Sequence, residues 1–279
     1  MRDFFKERQI EFYSCIPLER CKVYKKYLLD RAGLTENSTV IMMLLPYRSE
    51  SKPENISVYA SVRDYHGYTE ILRKEAVEYV KSRFEDATVE LFSDHSPIDE
   101  VHAACISGLG FIGDNGLLIN EKYSSFVFLC EIITSLTPSE LGLEYADSAE
   151  VKRCYGCGAC HRACPSNCMD ENDPRPKSEC LSAITQKKGM FTDKEISQMI
   201  ENKTIWGCDA CQNACPYTKN AEYTPIKYFK DGVITELDLD TFNKMSDAEL
   251  GERPFMWRGK DVILRNIEIY EKHKSDFKK

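Results

Sequence analysis

The sequence predicts an α/β (α+β) domain followed by a small cysteine-rich module. Three observations carry that expectation. Thr39–Leu45 (TVIMMLL) is a continuous apolar run ended by Pro46, as a buried central strand would be. From Thr69 to Phe84, apolar Leu72, Ala76, Val77, Val80 and Phe84 recur at helical spacing against a charged face of Glu70, Arg73, Lys74, Glu78 and Lys81. Nine of the thirteen cysteines fall between Cys154 and Cys215.

The remaining elements follow in order. Residues 1–38 mix charge with aromatics and read as helices with an early loop. Val89–Phe92 is a short strand. Ser96 offers an N-cap, Pro97 suits a first helical position and Asp99 stands where a capping box places its acid, so a helix is expected from Pro97 to about Ser107. Gly108–Gly113 is a glycine-rich turn, after which Leu117–Ile119 and Phe126–Thr134 read as strands. Residues 136–150 look like a linker. The segment 216–279 closes the chain with a helix near Val262–Lys274. Three domains are therefore expected: an α/β domain over 1–150, the cysteine module over 151–220 and a closing segment over 221–279 that packs back on the core.

Composition limits the function. With 279 residues, 42% of them hydrophobic, the chain can bury a sizeable core. Its N-terminus, MRDFFKERQ, is charged where a secretory signal is apolar, and its longest apolar runs are too short to cross a bilayer, so a cytoplasmic protein without a membrane partner is expected. The net charge of −8 argues against a nucleic-acid partner, because phosphate contacts need a basic surface, although a local patch such as Lys187-Lys188 is compatible with an acidic total.

Cys154-x2-Cys157-x2-Cys160-x3-Cys164-Pro165 is the bacterial ferredoxin run, in which three thiolates grip one cluster and the fourth crosses to a second. Cys208-x2-Cys211-x3-Cys215-Pro216 repeats its closing half, and Cys180 supplies the missing first ligand. The inferred quartets are Cys154, Cys157, Cys160 and Cys215 on one [4Fe-4S] cluster, and Cys164, Cys180, Cys208 and Cys211 on the other. The fold class is thus completed as a cofactor-binding domain with a bacterial ferredoxin-like two-[4Fe-4S] module. Two CxxC pairs also fit a zinc ribbon, but zinc needs neither the full run nor its echo. Cys168 has no place among eight ligands and reads as a small buried residue, as do Cys15, Cys21, Cys105 and Cys130.

A two-cluster ferredoxin leaves the residues before Cys154 unexplained, and there a resemblance becomes specific. Arg63-Asp64-Tyr65-His66, Ser93-Asp94-His95-Ser96-Pro97, Gly108–Asn115 and Ser125–Glu131 occur in the order and spacing seen in epoxyqueuosine reductases. Cys180-Leu181-Ser182, Gly207–Gln212, Arg258-Gly259-Lys260 and Leu264-Arg265-Asn266 are similar to that family's cluster region and closing helix. The likeness covers roughly residues 39–270.

The resemblance implies a cobalamin-dependent iron–sulfur reductase, related in architecture to reductive dehalogenases, that removes the epoxide oxygen of epoxyqueuosine at the tRNA wobble position. An external low-potential donor such as ferredoxin or flavodoxin would reduce the clusters. The family's proton donor falls on Asp94. Its cobalamin-lining positions fall on Ser57, Asn115, Leu118, Ser182, Ala183 and Asp209, with Asp94 beside them. Independently, Asp94 lies between a strand end and a helix start, where α/β proteins collect ligands; alone, it reads equally as a turn residue. Asp64 reads as a surface ion-pair partner and His66 as a structural histidine or a substrate contact. The sequence departs from the family at Asp114, where Lys is frequent, in a shorter N-terminal region and in lacking the helical-repeat tail of longer members. Two other readings stay open: a paralogue that reduces a small organic molecule, and an electron carrier without cobalamin.

Overall fold

The computed structural model describes residues 1–147, 150–169 and 178–273. By internal contacts the chain divides into two units. The first comprises Met1–Pro46, Tyr65–Gly113 and Leu117–Tyr155; the second comprises Tyr47–Asp64, Asp114–Gly116 and Gly156–Lys279.

The first unit is built on a four-stranded sheet of β1 (Tyr13–Pro17), β2 (Thr39–Pro46), β3 (Val89–Phe92) and β6 (Val127–Thr134), in the order β1-β2-β6-β3. Every neighbouring pair is antiparallel. All eight residues of β2 are buried and paired with β6, from Thr39 opposite Thr134 to Pro46 opposite Val127. The apolar run is therefore a central strand covered on both faces, as its composition predicts. The helix Tyr65–Lys81 lays Leu72, Ala76 and Val80 against the core, confirming the periodicity, although it starts four residues before Thr69.

Three expectations are corrected here. Residues 1–38 are not helical throughout: between the helices Arg2–Glu7 and Lys26–Ala32 lies β1, too short for its alternation to stand out. The helix expected from Pro97 begins at Glu100, and Asp99 is its cap, accepting from His102 N at 3.0 Å. Ser96 is drawn elsewhere, for its hydroxyl accepts from Ile98 N at 3.1 Å and donates to Glu131. The stretch read as a linker is tied to the sheet, with Tyr145 bridging Cys15 and its hydroxyl 3.1 Å from Thr39 Oγ1.

The glycine-rich turn folds as a hairpin of β4 (Phe111–Ile112) and β5 (Leu118–Ile119). A Cβ on Gly110 would lie 2.4 Å from Ile119 O, so close backbone approach requires glycine there. The hairpin also fixes the start of the cysteine run, since Cys154 N donates to Ile112 O at 3.0 Å.

The second unit is made of short helices around Trp206, Phe229, Phe255, Ile263 and Ile267, all fully buried. Its closing helix runs Lys260–His273; Lys274 of the expected helix lies outside the described residues. Asn266 on that helix is fully buried, and its amide donates to Thr185 O at 2.7 Å and Ile205 O at 2.8 Å. Thr185 in turn accepts from Gly207 N at 3.0 Å. One asparagine thus ties the helix after Cys180 to the segment before Cys208. No helix among the described residues is long and apolar enough to cross a membrane.

Candidate functional site

In the first unit, a cleft of about 350 Å³ is lined by Tyr65, Asp94, Glu100, Leu118, Ser125 and Phe128, among others. Tyr65 stacks on Phe128 with ring centroids 4.2 Å apart, giving a flat aromatic wall, and Leu118 is buried.

Asp94 stands at the cleft on the turn between β3 and the helix Glu100–Ile106. Its φ is +58°, a left-handed conformation uncommon outside glycine but tolerated by Asp and Asn. His95 N donates to Ser93 O at 2.6 Å, closing a three-residue turn around Asp94. Such local strain persists where surrounding contacts fix it, and it concentrates at functional sites. The exposed Asp94 carboxylate lies 3.8 Å from His66 Nε2. Hydrogen bonding to His66 holds the Asp94 carboxyl below its usual range against the opposing effect of burial, with further help from the charges of His66, Lys25 and His95. His95 itself is held between Lys25 Nζ at 3.3 Å and Tyr27 OH at 3.1 Å.

Behind Asp94 lie two carboxyls. Glu100 Oε1 accepts from Asp94 N at 3.2 Å, and burial pushes its pKa up to about 7. Glu131 on β6 is fully buried; burial and the neighbouring Glu100 raise its pKa well above the ordinary carboxylic range. Sequence reading missed both, because a Glu in a strand and a Glu in a first helical turn look like ordinary polar positions. The signal for Glu131 was present: a lone charge inside Phe126–Thr134, read as a strand.

In the second unit, Cys164, Cys180, Cys208 and Cys211 are brought together. Burial pushes the Cys208 thiol up to about 12, with Asp209, Cys180 and Cys164 adding to the shift. Burial likewise raises Cys211 to about 12, reinforced by Cys208 and Cys180, while Asn115 hydrogen-bonds it. These four are the second expected quartet. Cys157, Cys160 and Cys215 of the first quartet lie in the same unit, and Cys154 lies at the end of the other. Cys168 departs from expectation: it is half-buried, and its Sγ is 3.7 Å from Cys164 Sγ. Cys15, Cys105 and Cys130 are buried as expected, and Cys21 is partly so.

The other predicted cofactor residues also fall largely in the second unit. Ser57 is buried, and its hydroxyl has no partner among the described residues. Gly207 faces it so closely, at φ +76°, that a Cβ would lie 2.0 Å from Ser57 Oγ. Asp209 accepts from Val58 N at 2.6 Å and from Gln212 Nε2 at 3.1 Å, and burial raises its pKa to about 6. Ser182 lies in the first turn of the helix Leu181–Gln186 and accepts from Gln186 Nε2 at 3.1 Å, with Ala183 beside it. Arg63 pairs with Glu252 at 2.5 Å and lies 4.2 Å over Tyr228. Lys187, the candidate basic patch, is 2.5 Å from Glu195.

The sheet-based unit and the paired cysteine motifs define an iron–sulfur oxidoreductase with two [4Fe-4S] clusters. Residues 153–218 match the 4Fe-4S double cluster binding domain. The chain is 31% identical over 258 residues to the epoxyqueuosine reductase of Lactococcus garvieae, covering 86% of this chain and 70% of that one. Its fold superposes on the solved epoxyqueuosine reductase of Streptococcus thermophilus with a TM-score of 0.75 at 24% identity, covering 96% and 79% of the two chains. An epoxyqueuosine reductase solved with a tRNA-Tyr epoxyqueuosine-modified stem loop gives a TM-score of 0.72 at 20% identity, covering 98% and 80%. The chain belongs to the epoxyqueuosine reductase family.

Proposed function

We propose that this chain is a cytoplasmic, cobalamin-dependent reductase that converts epoxyqueuosine to queuosine in tRNA, with Asp94 as its acid. The observation that carries this reading is Asp94 itself: a carboxylate fixed by a left-handed turn at the mouth of an aromatic-walled cleft, beside His66. Removing an epoxide oxygen as water consumes two electrons and two protons and leaves a carbon–carbon double bond. The electrons come from a low-potential ferredoxin or flavodoxin through the two cysteine quartets, Cys154, Cys157, Cys160 and Cys215, and Cys164, Cys180, Cys208 and Cys211. Asp94 gives a proton to the departing oxygen, and His66 orients the Asp94 carboxyl.

The residues expected to hold cobalamin fit a polar cofactor. Ser57 offers a buried hydroxyl free to bond, and Gly207 keeps the backbone open beside it. Asp209, Ser182, Ala183 and Asn115 belong to the same unit as Ser57, while Leu118 and Asp94 line the cleft of the first unit. When bound, cobalamin supplies a low-potential cobalt centre for two-electron chemistry that side chains cannot perform. Functionally the chain divides into a catalytic part over 1–150, a cluster module over 151–220 and a closing segment over 221–279; residues 47–64, which carry Ser57, group with the second structural unit.

Anaerobic protein supplied with cobalamin tests this. Absorption and spin resonance should report base-off cobalamin beside two clusters, and the reduced enzyme should convert epoxyqueuosine-containing tRNA. Tight cobalamin binding without tRNA turnover would favour a small-molecule substrate, a reading that the net charge of −8 and the paired Lys187 support. Clusters without cobalamin would leave an electron carrier.

A further inference from the structure

We propose that Glu100 and Glu131 form a buried proton store that recharges Asp94 during turnover, acting through it as positioning residues. The inference rests on the reading of Asp94 as the acid and goes beyond it.

The case begins with stoichiometry. Loss of the epoxide oxygen as water needs two protons, and one carboxyl holds one. Asp94 is also a poor place to keep a proton, since His66 lies 3.8 Å away and favours its ionised form. A second, better-protected proton within reach lets the second transfer proceed without waiting for solvent.

The Glu100–Glu131 pair meets that need. Glu100 lines the cleft and accepts from Asp94 N at 3.2 Å, so its carboxyl is anchored to the backbone of the acid it would serve. Glu131 is fully buried on β6, an inner strand of the sheet. One of its oxygens accepts from Ser96 Oγ, while Oε2 is buried and has no donor among the described residues. Burial and the charge of the nearby Glu100 carboxyl both oppose ionisation of Glu131. A buried carboxyl oxygen with no donor is satisfied when the carboxyl keeps a proton, and two neighbouring carboxyls favour holding one proton between them.

The surroundings keep the proton in place. Glu100 faces Asp94 and Asp99, with Lys25 acting against them, and it raises Glu131 in turn. Glu131 faces Glu100 and Ser96, with the thiols of Cys21 and Cys130 nearby, both raised by burial and so uncharged. Two negative neighbours and the full burial of Glu131 favour one shared proton over none.

The cycle balances. The O–H bond of Asp94 breaks as its proton joins the departing oxygen. The O–H bond on Glu100 then breaks as a new one forms on Asp94, and this proton completes the water. The pair, left doubly ionised, regains its proton from solvent through the open cleft. The two electrons enter through the clusters from the external donor.

The test uses the cofactor-loaded enzyme and three isosteric variants: Glu131→Gln, Glu100→Gln and Asp94→Asn. Iron and cobalamin content serve as folding controls. Both glutamine variants should lose roughly tenfold or more in turnover at about pH 8 and regain part of that loss as the pH is lowered, where a higher proton concentration lets solvent recharge Asp94 faster. Infrared difference spectra of the holoprotein should show a protonated-carboxyl band that persists above neutral pH and vanishes in Glu131→Gln. If Asp94→Asn is inactive while both glutamine variants keep the wild-type pH profile, the proton store is overturned and the role of Asp94 stands. A loss equal at every pH makes the pair structural and also overturns the store. Full turnover by loaded Asp94→Asn removes the acid, and the store falls with it.

Discussion

Asp94 combines two demands that its turn reconciles. Asp94 holds a left-handed backbone at the cleft, and among non-glycine residues Asp and Asn accept that conformation at the least cost. Asp94→Asn therefore keeps the turn and removes the proton. Turnover should fall by roughly 10²–10⁴ while both cofactors still load, as measured by single-turnover conversion and cofactor spectra. Stability should register the buried acids with the opposite sign to an ordinary ion pair. Glu100 rises from 4.5 to about 7 on folding, so the native state holds its proton more tightly than the unfolded chain. Its contribution is fully present below pH 4.5, declines as the pH rises toward 7 and levels off above. Denaturant titrations at pH values on either side of that window should show the decline in wild type and a flatter response in Glu100→Gln. Asp94 was legible in the sequence from its place between strand and helix and from the family motif. Its partners were not, because a motif names a residue but not the carboxyls that folding places behind it.

Elements carry the site through a few buried polar contacts. Asn266 reaches from the closing helix to Thr185 O and Ile205 O, on the two segments that lead from Cys180 and into Cys208. Asn266→Ala leaves both buried carbonyls without that donor and should destabilise the protein by at least ~2 kcal/mol. Chemical denaturation measures that loss, and iron analysis should show the cluster of Cys164, Cys180, Cys208 and Cys211 depleted. Cys168 sits against this quartet at 3.7 Å from Cys164 Sγ, yet ferredoxin spacing gives it no ligand role. Cys168→Ala should retain full iron and Cys180→Ala should lose one cluster; the reverse result would exchange their roles. The central strand and the long amphipathic helix were readable because each is a strong single-period signal over seven or more residues. β1 and the displaced cap at Asp99 were not, because pairing with β2 makes one and the pull of Glu131 on Ser96 makes the other.

At the scale of the whole molecule, the eight expected ligands imply close to eight irons and eight acid-labile sulfides per anaerobically reconstituted chain, measured by colorimetric assay. Zinc without labile sulfide would contradict the cluster assignment. If tRNA is the substrate, affinity should fall steeply as salt is raised, since each phosphate contact releases counterions. Filter-binding at several salt concentrations measures the slope, and a flat response would point to a small molecule. The sheet order has one more consequence, for the order of events at the ribosome. β2 pairs on one side with β1, which is synthesised just before it, and on the other with β6, which emerges more than eighty residues later. Until Thr134 has left the exit tunnel, one edge of a largely apolar strand is open to other nascent chains. The sequence TVIMMLL has the composition of an aggregation-prone segment, so translation speed between residues 47 and 134 and early chaperone capture should govern how much of this enzyme matures.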